Sequence, residues 1–275
     1  MEKVTYIVPI HELKEETKTL LARALESLEN VTTDVDDELV FVGPLDIIKE
    51  VFVWYGEKNE NSRFKEIGLV PNEDTDFFRQ INEAVKKCAT KYFSILEFDD
   101  TYQPYWNELV QEYAAATNAS VVMPINEFLE DGQFSSLGNE IVWSSTFAQD
   151  ENEKIGYVSS ECLNTFMDFN VTGALINTED FKEIGGLKPS LKIAAWYEFL
   201  LRAVYNSKVV YVAPKIGYDH TIARKGSYSE KAYNEIPQEE GQWLIKTAKQ
   251  EYFFTNDRNR TFGDDIEDVP EQSNE

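Results

Sequence analysis

The fold class that this sequence predicts is α/β: a mostly parallel central sheet with helices on both faces and a smaller region of hairpins. Three observations carry it. Short apolar runs that stop at proline or glycine alternate with amphipathic stretches, as in residues 4–9, 14–30 and 39–42, and this order builds parallel strands with crossover helices. The run 92–96 is apolar and ends in Glu97, Asp99 and Asp100, and a buried strand has no cheap place for adjacent charges except its exposed C-terminal end. The later half returns to the same alternation after a weakly patterned stretch between 126 and 165.

With 275 residues, 42% hydrophobic and 13% aromatic, the chain can bury a full core as one large domain or two smaller ones. Its formal charge of −24, from 26 basic and 50 acidic residues, would repel a phosphate backbone, which makes nucleic acid an unfavourable partner. Cys88 and Cys162 are too few for a disulfide framework or a cysteine metal site. The apolar run before Pro9 is too short for a signal peptide, and no stretch approaches the roughly 18 apolar residues of a membrane span. A soluble, cytoplasmic protein is expected. The sequons at Asn30, Asn118, Asn170 and Asn259 carry little weight in a chain that is not exported.

Taken in order, residues 4–9 alternate and end at Pro9, giving a strand followed by a loop. Leu20, Leu21, Ala24, Leu25 and Leu28 recur at helical spacing between 14 and 30. Residues 39–42 form a short strand before Gly43-Pro44, 46–55 begin as a helix and finish as a strand, and 66–70 form a weaker strand before Pro71. Phe77, Phe78, Ile81, Ala84, Val85 and Cys88 line one side of a helix over 74–91, which delivers the chain to the acidic strand. Pro104 starts a helix that runs to 118, and 120–124 is the next strand. Ile141-Val-Trp and Gly156-Tyr-Val are expected as short pieces of hairpins or of a mobile flap. A strand over 169–176 leads to a short helix, 178–184, stopped by Gly185-Gly186. A helix over 196–205 and a strand over 208–212 precede Pro214, a polar loop spans 218–229, and a helix covers 238–254.

This order divides the chain into a ligand-binding half (1–125), a second half with the flap (126–230), a C-terminal helix (231–255) and an acidic tail (256–275) expected to be disordered. Ligands of parallel sheets sit beyond the C-terminal strand ends, which gathers residues 9–12, 43–46 and 97–100 around one crevice. Paired acids there suit a hard divalent cation held by one or two carboxylates and substrate phosphates. An acidic turn that caps the next helix is the other reading of the same residues.

Together these pieces resemble the family 2 glycosyltransferases of the GT-A fold. Val4-Thr-Tyr-Ile-Val-Pro9 and the helix after it are similar to the family's opening strand, proline loop and first helix. The stretch from Asn82 to Tyr92 matches its asparagine-bearing helix, with Ala84 and Thr90 where glycines are usual. Glu97-Phe-Asp-Asp100 falls on its Asp-x-Asp-Asp motif, and Gly173 to Leu187 is similar to the strand, helix and Gly-Gly turn that open the acceptor half. The resemblance implies a GT-A-like fold and the transfer of a sugar, with inversion, from a nucleotide diphosphate donor to a saccharide or protein acceptor. It further implies bound Mn²⁺ or Mg²⁺, with Asp99 as main ligand and Asp100 and His220 supporting it. Donor binding would fall to Pro9, His11, Glu12, Asp46, Asn82, Glu97, Arg224 and Lys225. His220 also reads as an ordinary surface histidine, and Arg224-Lys225 as a solvated pair.

Two departures bear on catalysis. The family's second strand ends in Asp-Asp-Gly-Ser, whose acid reads the base, whereas here Gly43-Pro44-Leu45-Asp46 follows, which leaves base recognition unassigned and Asp46 a poor candidate for it. Where an inverting relative carries the acid that deprotonates the acceptor, this chain has Ala195-Trp196. Glu198 lies about 200° further round the helix. Glu198 and Asp168 are the candidate catalytic bases, with Glu127 and Asp131 as further stand-ins. Trp143, Phe147, Tyr157 and Phe166 in the flap suit either stacking on sugar rings or core packing. The alternative function is a non-catalytic GT-A-like binding or structural module; a nucleotidyltransferase is disfavoured because Pro9-Ile-His-Glu12 replaces a glycine-rich phosphate loop.

Overall fold

The computed structural model describes residues 1–144, 155–225 and 227–252. Its first half follows the expected order: β1 (Val4–Pro9), α1 (Glu15–Glu29), β2 (Glu38–Gly43), α2 (Leu45–Lys58), β3 (Glu66–Pro71), α3 (Phe77–Lys87) and β4 (Tyr92–Ile95). β1 pairs in parallel with β2 and β4, and β2 with β3. Each helix is placed by its apolar stripe. Leu21, Ala24, Leu25 and Leu28 bury one face of α1, and Phe77, Phe78, Ile81, Ala84 and Val85 one face of α3.

The second half contributes β5 (Thr101–Tyr102), α4 (Trp106–Thr117), β6 (Val121–Glu130), β7 (Gln133–Gly138), α5 (Ser160–Thr165), β8 (Leu175–Asn177) and α6 (Thr178–Glu183). α7 (Ala195–Tyr205), β9 (Val210–Ile222), α8 (Tyr228–Glu235) and α9 (Gln238–Tyr252) complete it. The sheet order is β3-β2-β1-β4-β8-β6-β9-β5, with β7 paired to β6. β8 runs antiparallel between β4 and β6, whereas β6 and β9 are parallel. β6 crosses the 125/126 division, so both halves share one sheet. Alternating strand residues feed two cores: Ile7, Phe93, Ile95 and Met123 pack under α3, α6 and α7, while Tyr6, Val8, Phe41 and Val122 pack under α1, α2 and α4. No helix among the described residues is long and apolar enough to cross a membrane.

Five local expectations change. Residues 46–55 stay helical throughout, because Ile48, Val51 and Tyr55 bury on one face. Ile141-Val-Trp forms a 3₁₀ turn, Glu140–Trp143, instead of a strand. In 156–158, Tyr157 makes only an isolated bridge to Tyr211. The strand foreseen over 169–176 shrinks to β8, since Gly173 takes a φ of +74°, a left-handed geometry that interrupts extended backbone. β9 does not stop before Pro214 but continues to Ile222. The β6/β9 register slips at Pro124/Ile125 and again at Ile125/Asn126, and this irregularity accommodates the missing N–H of Pro214. Phe147 and the acidic tail lie outside the described residues.

Candidate functional site

β4 ends at Ile95, and the acidic turn that follows is fastened to β9, far away in sequence. The fastening comes from β5: Thr101 pairs with Asp219 and Tyr102 with Tyr218 in antiparallel register. Asp219 also accepts from Thr101 Oγ1 and Gln103 Nε2. This pairing sets His220 and Thr221 beside Asp100. His220 Nδ1 lies 2.7 Å from Asp100 Oδ2, and the Thr221 N–H donates to Asp100 Oδ1 at 2.8 Å. The Asp99 carbonyl accepts from Arg23 and from Thr221 Oγ1, tying the turn to α1 as well. Gly173 leaves room for this arrangement, because a Cβ there would stand 2.4 Å from the Tyr218 ring.

The three acids have unequal surroundings. Asp100 is fully buried and doubly hydrogen-bonded. Asp99 Oδ2 accepts from Arg224 Nε at 2.5 Å, and the Arg224 guanidinium lies 4.7 Å over the Phe98 ring. The Glu97 carboxylate has no hydrogen-bond partner among the described residues and lines a pocket. Burial and the charge of Asp100 push Glu97 up to about 8, against the pull of His220. Asp99 is raised by burial and by Asp100, with Arg224 opposing. Burial alone would lower His220, but Asp100 and its neighbouring acids bring it to about 9. Among the described residues, Glu97, Asp100 and His220 form the one group of three whose ligand atoms lie within 4.8 Å of one another. Two carboxylates and an imidazole make a donor set that fits Mn²⁺.

The pocket has a volume of about 360 Å³ and is walled by Phe77, Phe78, Phe128, Phe169, Trp196 and Tyr197, with Asp168, Asn170 and Thr172 as further polar lining. Asn170 Oδ1 accepts from Thr172, while its buried Nδ2 has no partner among the described residues. Ile193, Ile222 and Ala232 of α8 close one side. A larger groove of about 1020 Å³ runs between α3, α6 and the Gly185-Gly186 turn, and is lined by none of Glu97, Asp99 and Asp100.

The expected site residues separate into groups. Glu97, Asp99, Asp100, His220 and Arg224 come together. His11 packs 5.7 Å from the Phe98 ring, and burial with the nearby Lys231, Arg224 and Lys14 lowers its pKa against the pull of Glu12. Pro9 is buried at the end of β1, and Glu12 pairs with Lys14 at 2.8 Å. Asp46 and Lys225 are exposed. The Asp99 carboxylate is engaged by a guanidinium and stands outside the three-residue group of Glu97, Asp100 and His220. Asn82 turns away altogether: its amide donates to the Leu187 carbonyl and accepts from the Leu187 N–H, clasping α3 to the Gly-Gly turn.

Glu198, a candidate base, is instead a buried structural anion. It accepts from Arg202 through both oxygens and from Tyr252, and pairs with Lys188. Although burial would raise its pKa, these partners lower it. Asp168, in contrast, stands exposed at the pocket rim. Arg23, Thr221 and Lys231 escaped the sequence reading as site residues; α1, β9 and α8 bring them to the acidic turn and to His11.

No protein-family model matches the chain, and no curated protein sequence matches it. Solved structures do match. S. aureus TarS 1-349 in complex with UDP-GlcNAc superposes with a TM-score of 0.65 at 16% identity, covering 92% of this chain and 68% of that one. The same protein in complex with UDP gives 0.60 at 15%, covering 92% and 67%. The S. aureus TarS structure of greater length gives 0.56 at 12%, covering 91% and 44%. Such identities speak for the fold alone: the chain has a GT-A-like fold.

Proposed function

We propose that the protein is a metal-dependent, inverting glycosyltransferase that moves a sugar from a nucleoside diphosphate donor to a saccharide or protein acceptor. The observation that carries this reading is the Glu97 carboxylate, unpartnered among the described residues and converging with Asp100 and His220 beyond β4 on a GT-A-like sheet. Mn²⁺ or Mg²⁺ would be held by Glu97, Asp100 and His220, with Asp99 added as the family resemblance implies. When bound, the cation neutralises charge on the departing diphosphate. Asp100 fixes the His220 ring through Nδ1, the orientation that metal-binding imidazoles need. Arg224 and Lys231 offer positive charge to the phosphates beside His11. Phe128, Phe169 and Trp196 give the sugar apolar faces and keep water from the reacting carbon. Asp168 at the rim takes the proton of the acceptor hydroxyl, the role that Glu198 cannot fill.

The UDP and UDP-GlcNAc complexes of the similar structures make uridine nucleotides the first donors to try. With UDP and Mn²⁺ at about 100 times Kd, stability is expected to rise by about 2.7 kcal/mol, read by thermal unfolding. Asp100→Asn is expected to abolish the rise. If no nucleoside diphosphate shifts the transition, or Asp100→Asn shifts it equally, the donor reading fails. Asp168→Asn should keep the shift and lower kcat by about 10²- to 10⁴-fold.

Trp196 on the pocket wall supports the second reading, a non-catalytic module, because it occupies the place of the family's acid. Nucleotide binding without hydrolysis or transfer of any tested donor would favour that reading.

A further inference from the structure

We infer that Arg224 is an internal counter-cation that withholds Asp99 from the metal cluster until a donor diphosphate draws the guanidinium away. The inference rests on the donor reading above. Asp99 and Arg224 meet through side chains only 6% and 15% exposed, so their pairing is screened far less than a surface ion pair. Arg224 is also held from below by the Phe98 ring. Its position follows from the chain path. Ala223 adopts a left-handed φ of +57°, turning the backbone at the end of β9, and the Ser227 N–H donates to the Arg224 carbonyl just before α8. The neighbouring Lys225 is exposed and takes no such place.

While Arg224 Nε holds Asp99 Oδ2, that oxygen is closed to a divalent ion and the guanidinium charge beside it repels one. Asp99 is therefore the ligand that the cluster of Glu97, Asp100 and His220 lacks while Arg224 occupies it. A diphosphate offers the guanidinium a stronger anion, because its planar fork binds phosphate oxygens through several N–H groups at once. Lys14, Lys231 and Arg224 all lie near enough to His11 to lower its pKa, so a diphosphate entering there meets further cations beside Arg224. Transfer of Arg224 from Asp99 to the donor would complete the metal shell only when a donor is present. Because α8 starts four residues after Arg224 and lends Ala232 to the pocket wall, the same transfer would reposition that wall.

The test is calorimetric and needs no turnover. The full chain, Arg224→Gln and Arg224→Lys are titrated with Mn²⁺ alone, and then with UDP at saturating Mn²⁺. Arg224→Gln is expected to bind Mn²⁺ alone about tenfold more tightly than the wild type and UDP about tenfold less tightly. Arg224→Lys keeps the charge but not the planar donor, and should fall between the two. Mn²⁺ affinities of both variants equal to or weaker than the wild type, with native circular dichroism, would overturn the inference. UDP affinity unchanged in Arg224→Gln would overturn the hand-over to diphosphate. Failure of the wild type to bind UDP at all would reject the donor reading and the hand-over with it, while the Mn²⁺ comparison still decides whether Arg224 withholds Asp99.

Discussion

Glu97 and Glu198 are both acids drawn into the body of the same domain, and their surroundings differ in every respect that matters for function. Glu198 is saturated: Arg202, Lys188 and Tyr252 satisfy both oxygens, and its pKa falls. Glu97 faces a pocket, has Asp100 and Asp99 as neighbours and no hydrogen-bond partner among the described residues, and its pKa rises. A carboxylate that has spent its lone pairs on protein cations holds elements together, here α7, α9 and the chain after Gly186. A carboxylate kept desolvated beside like charge has lone pairs left for a ligand.

The largest break in this comparison should come from Glu198→Ala. It leaves Arg202, 8% exposed, without its anion, and is expected to cost about 3–5 kcal/mol in denaturant unfolding. Glu97→Ala removes no such partner and should leave the metal-free protein as stable or more so. A loss at Glu97 equal to that at Glu198 would erase the distinction.

A second test uses pH. Glu97 and His220 bind protons more tightly in the folded chain, titrating near about 8 and about 9 instead of 4.5 and 6.5. The folded state then carries the extra protons, so their contribution is present in acid and is lost as pH rises through those values. Glu198 is shifted down, and its contribution is present above the ordinary carboxylate range and lost on acidification. Thermal midpoints of the metal-free protein should therefore fall on the alkaline side because of one cluster and on the acid side because of the other. Glu97→Gln should flatten the alkaline limb only. Mn²⁺ should restore stability there, since its ligands must be deprotonated. An alkaline limb unchanged in Glu97→Gln would remove Glu97 from this account.

The smallest effect is expected at Asp46. It is exposed in the first turn of α2, and Asp46→Ala should change stability by no more than about 0.5 kcal/mol. Its UDP affinity decides whether the donor site extends to β2: a loss of about tenfold would extend it, and an unchanged value would confine it to the β4 and β9 ends.

Much of the first half was legible because its signals are local. The stripes of α1 and α3 and the apolar runs of β1, β2 and β4 lie within single elements, and proline or glycine marks their ends. The failures have a common cause. Pro214 reads as a stop, yet a register irregularity against β6 carries β9 through it to Ile222. Residues 46–55 read as a mixed segment until packing selects the Ile48, Val51 and Tyr55 face. Asn82 matched a family position, but its amide found Leu187, 105 residues away.

What the sequence determined by itself was the alternation of strands and helices, and the emergence of three acids at the end of a buried strand. Both depend on neighbours along the chain, through side-chain periodicity and the cost of burying charge. What each acid would meet was decided only by the tertiary structure. His220 and Arg224 stand 120 and 125 residues from Asp100 and Asp99, and no periodicity reaches so far. Two residues of β5 pairing with β9 bring them together, and that pairing makes Asp100 a partner of histidine, Asp99 a partner of arginine, and leaves Glu97 open to the pocket.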